Sequence, residues 1–420
     1  MHATENVCER PGLLDPNEAL TIALTFVRAI DGVEHVRLSD AVGRITAETM
    51  RSSLPLPPFD QSAVDGYAIH ESDLPGMKGR SLTLSGRAVV AGARSVQAVK
   101  PGRTVKLLTG APIPAGADAV VMEEKVIVNG SAIGFASDAE PGMNIRRRGE
   151  DVGEGAVIVR SATVIDARHV AILSAAGIDR LAVRKRMRVA IMSTGNELAE
   201  PGAMLEGNQL HDANGPMLMG LLAAPSARVE NIGRHGDDRL RLARTFALAS
   251  TSFDLIVCSG GVSGSDADHV VPAIRDAGGE CLSMSLALKP GKPLAAGRLG
   301  TAAILALPGN PAAAMVGALL FARPLLEALA GLQPSEPAAT AARTDSVFFH
   351  RTGRAEFLPA AVTASDPDGV PRIQKLGRGG SARLLPLILA DGLARIPGDV
   401  GDLGEGAWIE FYPFKSRFGL

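Results

Sequence analysis

The chain has 420 residues, a formal net charge of −2, 4% aromatic residues and three cysteines. That length allows two to four domains with cores of their own. The near-neutral charge excludes a molecule that binds nucleic acid over its whole surface, and the scarcity of rings excludes a stacking platform for single strands. Cys8, Cys258 and Cys281 form no CxxC pair, so neither a disulfide frame nor a cysteine zinc site is expected. The first ten residues carry acids and no apolar signal-peptide core, and no apolar run is read as membrane-spanning, so a cytoplasmic protein is expected.

Asp15-Pro16-Asn17-Glu18 predicts the start of a helix. Asp15 caps it, Pro16 suits the first helical position and Glu18 completes a capping box, with Leu20, Leu24 and Val27 on one face and Asp31-Gly32 at the end. Short strands are expected at 36–38 and 45–50. From residue 54 the texture becomes Pro-rich and then reads as short β segments at 81–84, 104–107, 119–122 and 126–128, separated by turns such as Asn129-Gly130. A strand at 156–159, a helix from Asp166 to Gly177 and a strand at 181–183 follow, and these pair with residues 30–50. From Arg188 the pattern becomes alternating β and α: strands at 189–192, 228–232, 253–258 and 302–307, and helices at 214–224, 238–250, from 269, and 312–329. Past a polar linker at 333–337, residues 340–420 return to short β segments at 346–349, 357–361, 394–396 and 408–412.

The expected fold class is a multidomain α/β protein. A doubly wound domain with a parallel sheet covers 186–332, and a helix within 1–30 packs on it. A β-domain at 54–149 is inserted into a small discontinuous module (31–53 with 150–185), and a C-terminal β-barrel or sandwich covers 338–420.

The chain is organised around Ser259–Asp268, SGGVSGSDAD, a Gly/Ser loop between a buried strand and a helix. Such a loop leaves backbone N–H groups free to meet an anion at the positive end of the helix. Ser259, Gly260, Gly261 and Ser263 are the candidate contacts. The sequence has neither GxGxxG nor GxxxxGK[ST] here, so neither a dinucleotide fingerprint nor a Walker loop is indicated. A similar loop, Pro308-Gly309-Asn310-Pro311, opens the last helix of the domain. Between the two lie Lys289 and Lys292, whose neighbours Pro290 and Pro293 stiffen the backbone that aims them. Ser193-Thr194-Gly195 ends another strand, and Asp212 and Asn214 open another helix. Taken together, the loops point to a phosphate-bearing ligand across the ends of parallel strands.

Asp60, Asp151, Glu197, Asp212, Asp237 and Asp268 recur on loops. Singly, each reads as a cap or turn residue. As a set beside phosphate-binding loops they suggest Mg²⁺, with Asp60, Glu197, Asp237 and Asp268 as ligands. Arg147, in the run Arg146-Arg147-Arg148, is a candidate for ligand or subunit contact. The histidines lack metal-ligand spacing, and no nucleophile elbow is present.

Seven stretches in order, PFDQSAVDGYA (58–68), TGAPIPAGADAVVMEE (109–124), NIRRRGED (144–151), STGNEL (193–198), SGGVSGSDAD (259–268), LKPGKP (288–293) and LPGNP (307–311), resemble the MoeA family of molybdopterin molybdenumtransferases and the related C-terminal domain of gephyrin. The resemblance implies an elongated homodimer that inserts molybdenum from molybdate into adenylylated molybdopterin with release of AMP, using Mg²⁺. It implies an active cleft between subunits, with Asp60 and Asp151 from one chain and Glu197, Asp237, Asp268, Lys289 and Lys292 from the other. Ser381 matches a family serine near that cleft. Asn196 stands where many members have Asp, and Gly264-Ser265-Asp266 and His269 also depart from the common pattern. The rival readings are a gephyrin-like scaffold or cofactor carrier, and a pterin adenylyltransferase.

Overall fold

The computed structural model describes residues 12–263, 268–377 and 383–414. Its centre is a six-stranded sheet in the order Ala227–His235, Met187–Thr194, Leu255–Ser259, Ala302–Leu307, Pro293–Leu299, Glu280–Ser285. The first four strands are parallel; Pro293–Leu299 runs against them, and Glu280–Ser285, antiparallel to it, runs in their direction again. The sheet is therefore mixed, not parallel throughout. The antiparallel pair was hidden in the sequence because Pro293–Leu299 begins inside the Lys/Pro motif.

Alternation along the central strand shows why the sheet is covered on both faces. Val189 and Ile191 face a cluster with Leu218, Leu222, Phe321 and Leu325, whereas Ala190 and Met192 face Leu242, Phe246 and Ile274. Four helices carry these contacts: Asn214–Leu222 and Pro311–Leu329 on the first face, Arg239–Ser250 and Val270–Asp276 on the second. Pro311–Leu329 is long and apolar enough to cross a bilayer by composition, contrary to the reading that no run is. Some 67% of it is buried, so it serves as a core helix.

The N-terminal helix is Pro16–Leu24, capped by Asp15, whose carboxylate accepts the Asn17 N–H at 2.8 Å. It ends several residues before Asp31-Gly32. Ala19, Ala23 and the following Phe26 join the core of the α/β sheet. The small module pairs Val33–Arg37 with Arg180–Arg184 and Met50–Arg51 with Val157–Val159. Between these halves lies a six-stranded sheet in the order Ala117–Met122, Gly66–His70, Arg103–Leu107, Ser81–Leu84, Ala132–Phe135, Val126–Asn129. The Asn129-Gly130 turn joins the last two, with Gly130 at a φ of 61°.

The C-terminal sheet closes on itself. Ala355–Ser365 pairs with both Pro371–Lys375 and Gly392–Ile396, and Thr340–Thr344 and Trp408–Pro413 complete a five-stranded barrel. The expected strand at 346–349 is reduced to one bridge, Phe348 to Leu403. Leu288–Lys289 adds to this barrel in parallel with Ala355–Glu356, which brings the barrel against the Lys/Pro motif of the α/β sheet.

Candidate active site

The sheet order reverses at Met187–Thr194: the next strand lies on one side of it and Leu255–Ser259 on the other. The carboxyl ends of strands that diverge in this way leave a crevice. Here it is a cleft of about 650 Å³.

Glycine is required where its loops meet. Gly260 has a φ of 101°, and a Cβ there would stand 2.4 Å from the Thr194 carbonyl oxygen. Gly261, at a φ of 68°, lies under Val270. A Cβ on Gly309 would be 3.7 Å from Gly260 Cα, so the two glycine loops run side by side. The Gly260 N–H donates to the Leu307 carbonyl at 2.9 Å.

A buried polar floor ties these loops together. Asn214 donates from Nδ2 to Ser259 Oγ at 2.8 Å and to the Gly309 carbonyl at 2.7 Å. Ser259 Oγ donates to the Pro308 carbonyl at 3.1 Å. Asp212 accepts the N–H groups of Asn214 and Gly215, each at 3.0 Å. Asn310 accepts the Ala312 N–H, and Pro311 takes the first helical position. Ser193, Asp212, Asn214 and Ser259 are all buried, and none lines the cleft. In this conformation Asp212, Asn214 and Ser259 tie the loops that form the walls.

Thr194, Gly195, Gly260, Gly261, Ser263, Pro308, Gly309 and Asn310 do line the cleft, as do the charged residues Glu197, Asp237, Asp268, Lys289 and Lys292. A Cβ on Gly195 would stand 2.6 Å from the Glu197 carboxylate, so only glycine leaves room for it there. Asn196 and Asp237 clasp each other: the Asn196 N–H donates to Asp237 Oδ2 at 3.2 Å and the Asp237 N–H donates to Asn196 Oδ1 at 3.1 Å. Ser263 Oγ donates to Asp268 Oδ2 at 3.0 Å.

Asp60, Asp151 and Arg147 are absent from this cleft. Arg147 bridges Asp60, at 2.9 Å, and Asp118, at 2.6 Å. The Arg148 N–H donates to Asp60 Oδ1 at 2.7 Å, and this bond, with Arg147 beside it, holds the Asp60 carboxyl below its ordinary range. Among the described residues no group of three His, Cys, Asp or Glu side chains converges as a metal site would require. The expected Mg²⁺ set of Asp60, Glu197, Asp237 and Asp268 is therefore not assembled within one chain, because Asp60 is engaged by arginines elsewhere. The three cleft acids still fit a cation that takes one or two carboxylates and completes its shell with phosphate oxygens. Ser381, Gly264, Ser265 and Asp266 lie outside the described residues.

Two charged residues were missed by sequence reasoning. Arg354 lines the cleft from the C-terminal barrel. Glu356, on the strand Ala355–Ser365 that follows Arg354, is 4% exposed and meets Lys289 Nζ at 2.9 Å. An Arg-x-Glu step at the head of a strand is unremarkable in the sequence; only the pairing with Leu288–Lys289 gives it meaning. Cys258, under the Gly260 loop, has its thiol pushed up to about 12 by burial and stays protonated.

A curated relative from Haemophilus influenzae, named molybdopterin molybdenumtransferase, is 32% identical over 389 residues, spanning 92% of this chain and 95% of the relative. The chain belongs to the MoeA family. The MoeA N-terminal region (domain I and II) matches residues 14–177, the probable molybdopterin binding domain 190–328, and the MoeA C-terminal region (domain IV) 341–414. A second relative, molybdopterin molybdenumtransferase 2 of Mycobacterium tuberculosis, is 31% identical over 90% of this chain and 94% of its own length. The crystal structure of a molybdopterin biosynthesis MoeA protein from Pyrococcus horikoshii OT3 superposes with a TM-score of 0.80 at 30% identity, covering 95% of this chain and all of that one. Among MoeA relatives of this length, neither the scaffold nor the adenylyltransferase reading finds support. The cleft lies in the part of the chain matched by the probable molybdopterin binding domain, and Arg354 reaches it from domain IV.

Proposed function

We propose that this chain is a molybdopterin molybdenumtransferase, which inserts molybdenum from molybdate into adenylylated molybdopterin and releases AMP. The observation that carries this reading is the cleft itself: two glycine loops, three acids and the cations Lys289, Lys292 and Arg354 line one crevice at the sheet's switch point. The substrate is a nucleotide-linked pterin whose pyrophosphate is broken while an oxyanion is delivered to its sulfurs. Backbone N–H groups of the glycine loops and the three cations suit the phosphates and the oxyanion. The substrate's own sulfurs bind the metal it receives, so a protonated Cys258 is no obstacle. Mg²⁺ would be held by one or two of Asp268, Asp237 and Glu197 together with phosphate oxygens, and when bound it supplies charge neutralisation at the breaking pyrophosphate.

Asp60, Asp151 and Arg147 enter this reading through a second copy of the chain. A homodimer that sets the charged loop of one subunit over the cleft of the other makes a composite site. A cytoplasmic setting accords with the buried Cys258 and Cys281, which form no disulfide. The test is AMP release from adenylylated molybdopterin, measured with and without molybdate and Mg²⁺. Release that requires both supports the reading; consumption of ATP with metal-free molybdopterin, and no AMP release, contradicts it.

A further inference from the structure

We propose that Glu356 is a positioning residue for Lys289, so that the C-terminal barrel sets the geometry of the cationic wall of the cleft. This rests on the reading of the cleft as the active site.

The backbone makes the first link. Leu288–Lys289 pairs in parallel with Ala355–Glu356, and the Ala355 N–H donates to the Ala287 carbonyl at 2.9 Å. That register sets Lys289 opposite Glu356. The side chains make the second link. The Glu356 side chain is 5% exposed and the Lys289 side chain 51%, with Nζ and Oε1 2.9 Å apart. A carboxylate this deep cannot draw on bulk water and depends on its protein partner. A half-exposed lysine without such a partner samples many rotamers. The pair therefore does more than hold a surface ion pair: the buried acid fixes where the exposed ammonium stands.

The location gives this consequence. Lys289 and Pro290 line both the main cleft and a second cavity of about 170 Å³, so the ammonium is held at the wall between them. Lys292, by contrast, has no ion-pair partner among the described residues, and it offers its full charge to a ligand. The two lysines thus differ: one is aimed, the other is free to follow the anion.

His350 braces the strand that carries Glu356. Its side chain is 1% exposed. Nε2 lies 3.0 Å from the Arg354 carbonyl oxygen and Nδ1 2.6 Å from the Val400 carbonyl oxygen, while Asp402 accepts the His350 N–H at 2.7 Å. One buried ring thereby packs against the backbone of Arg354, itself in the cleft wall, and comes within 3.9 Å of Glu356 Oε2.

The test is a double-mutant cycle on AMP release in the presence of molybdate, using full-length dimer whose melting temperature has been checked. E356A is expected to lower kcat/KM about tenfold or more, the scale of losing a charged hydrogen bond. E356Q keeps an acceptor oxygen and is expected to lose less. In a K289Q background, read by single turnover at high enzyme concentration, E356A is expected to change the rate by less than about twofold, because the residue through which it acts is gone. Multiplicative losses in the double variant, or wild-type kinetics in E356A, overturn the proposal. If E356A does not fold, E356Q against E356Q/K289Q makes the same comparison. A wild-type protein that releases no AMP defeats the reading of the cleft; an active wild type with an indifferent Glu356 defeats only the positioning role.

Discussion

Acids in the α/β cleft and acids in the inserted β-segment carry the same charge and meet different partners. Glu197, Asp237 and Asp268 stand at the edge of a crevice: Glu197 in the space that Gly195 leaves, Asp237 clasped by Asn196, and Asp268 bonded by the Ser263 hydroxyl. Asp60 is held by a backbone N–H and by Arg147, which also binds Asp118, all inside its own segment. The first group is arranged around empty space that a substrate can fill. The second is a charged surface whose bonds are made within its own segment. The difference is what the proposed composite site needs: a cleft on one chain and a separate charged loop that a second copy can supply.

The largest expected effect comes from breaking the geometry of the cleft. Gly260→Ala forces a Cβ to within 2.4 Å of the Thr194 carbonyl oxygen at a positive φ. We expect a stability loss of about 1–3 kcal/mol in thermal denaturation and AMP release lowered about a hundredfold or more, since the loop misplaces every group beside it. Lys292→Ala is expected to lower kcat/KM about a hundredfold while the melting temperature hardly moves, as its charge has no partner to lose among the described residues. Asn214→Ala removes the donor that joins Ser259 to Gly309. It is expected to cost about 1–3 kcal/mol of stability and to affect turnover less than either cleft variant.

The smallest effect sharpens the other side of the comparison. The Asp60 carboxyl is depressed in the folded chain, chiefly by the Arg148 N–H and then by Arg147. The stability it contributes is therefore fully present above the ordinary carboxylate range and is lost as pH falls through the lowered value. Because both partners are more than a third exposed, that contribution is below about 1 kcal/mol. Acid titration of wild type and Asp60→Asn should give melting curves that differ above pH ~4 and merge below it.

Much of the fold was legible because apolar runs bounded by Gly, Pro and caps mark strands and helices directly. Asp15 caps its helix as expected, and Asp166 and Asp238, read as helix starts, also prove to be caps. The first helix stops short of Asp31-Gly32 because Thr25 to Val27 leave helical hydrogen bonding for turns. The strand Glu280–Ser285 was missed because its apolar residues only half alternate. In the site, the glycine loops and lysines were visible as strand–turn–helix punctuation. Arg354 and Glu356 were not, because they lie at the head of a barrel strand far downstream, and only a two-residue pairing brings Arg354 to the cleft and Glu356 to Lys289. Ser193, Asp212, Asn214 and Ser259 were visible as polar residues at strand and helix ends, but sequence alone does not tell a floor from a surface.

The claim that one chain lends its charged loop to the cleft of another is tested most directly by complementation. Asp60→Ala and Lys292→Ala, each inactive as a homodimer, are dissociated, mixed and allowed to re-pair. A shared site predicts that AMP release returns to about a quarter of the wild-type rate, since half of the dimers regain one intact site of two. A mixture as inactive as its parents, with heterodimers demonstrated to be present, contradicts it.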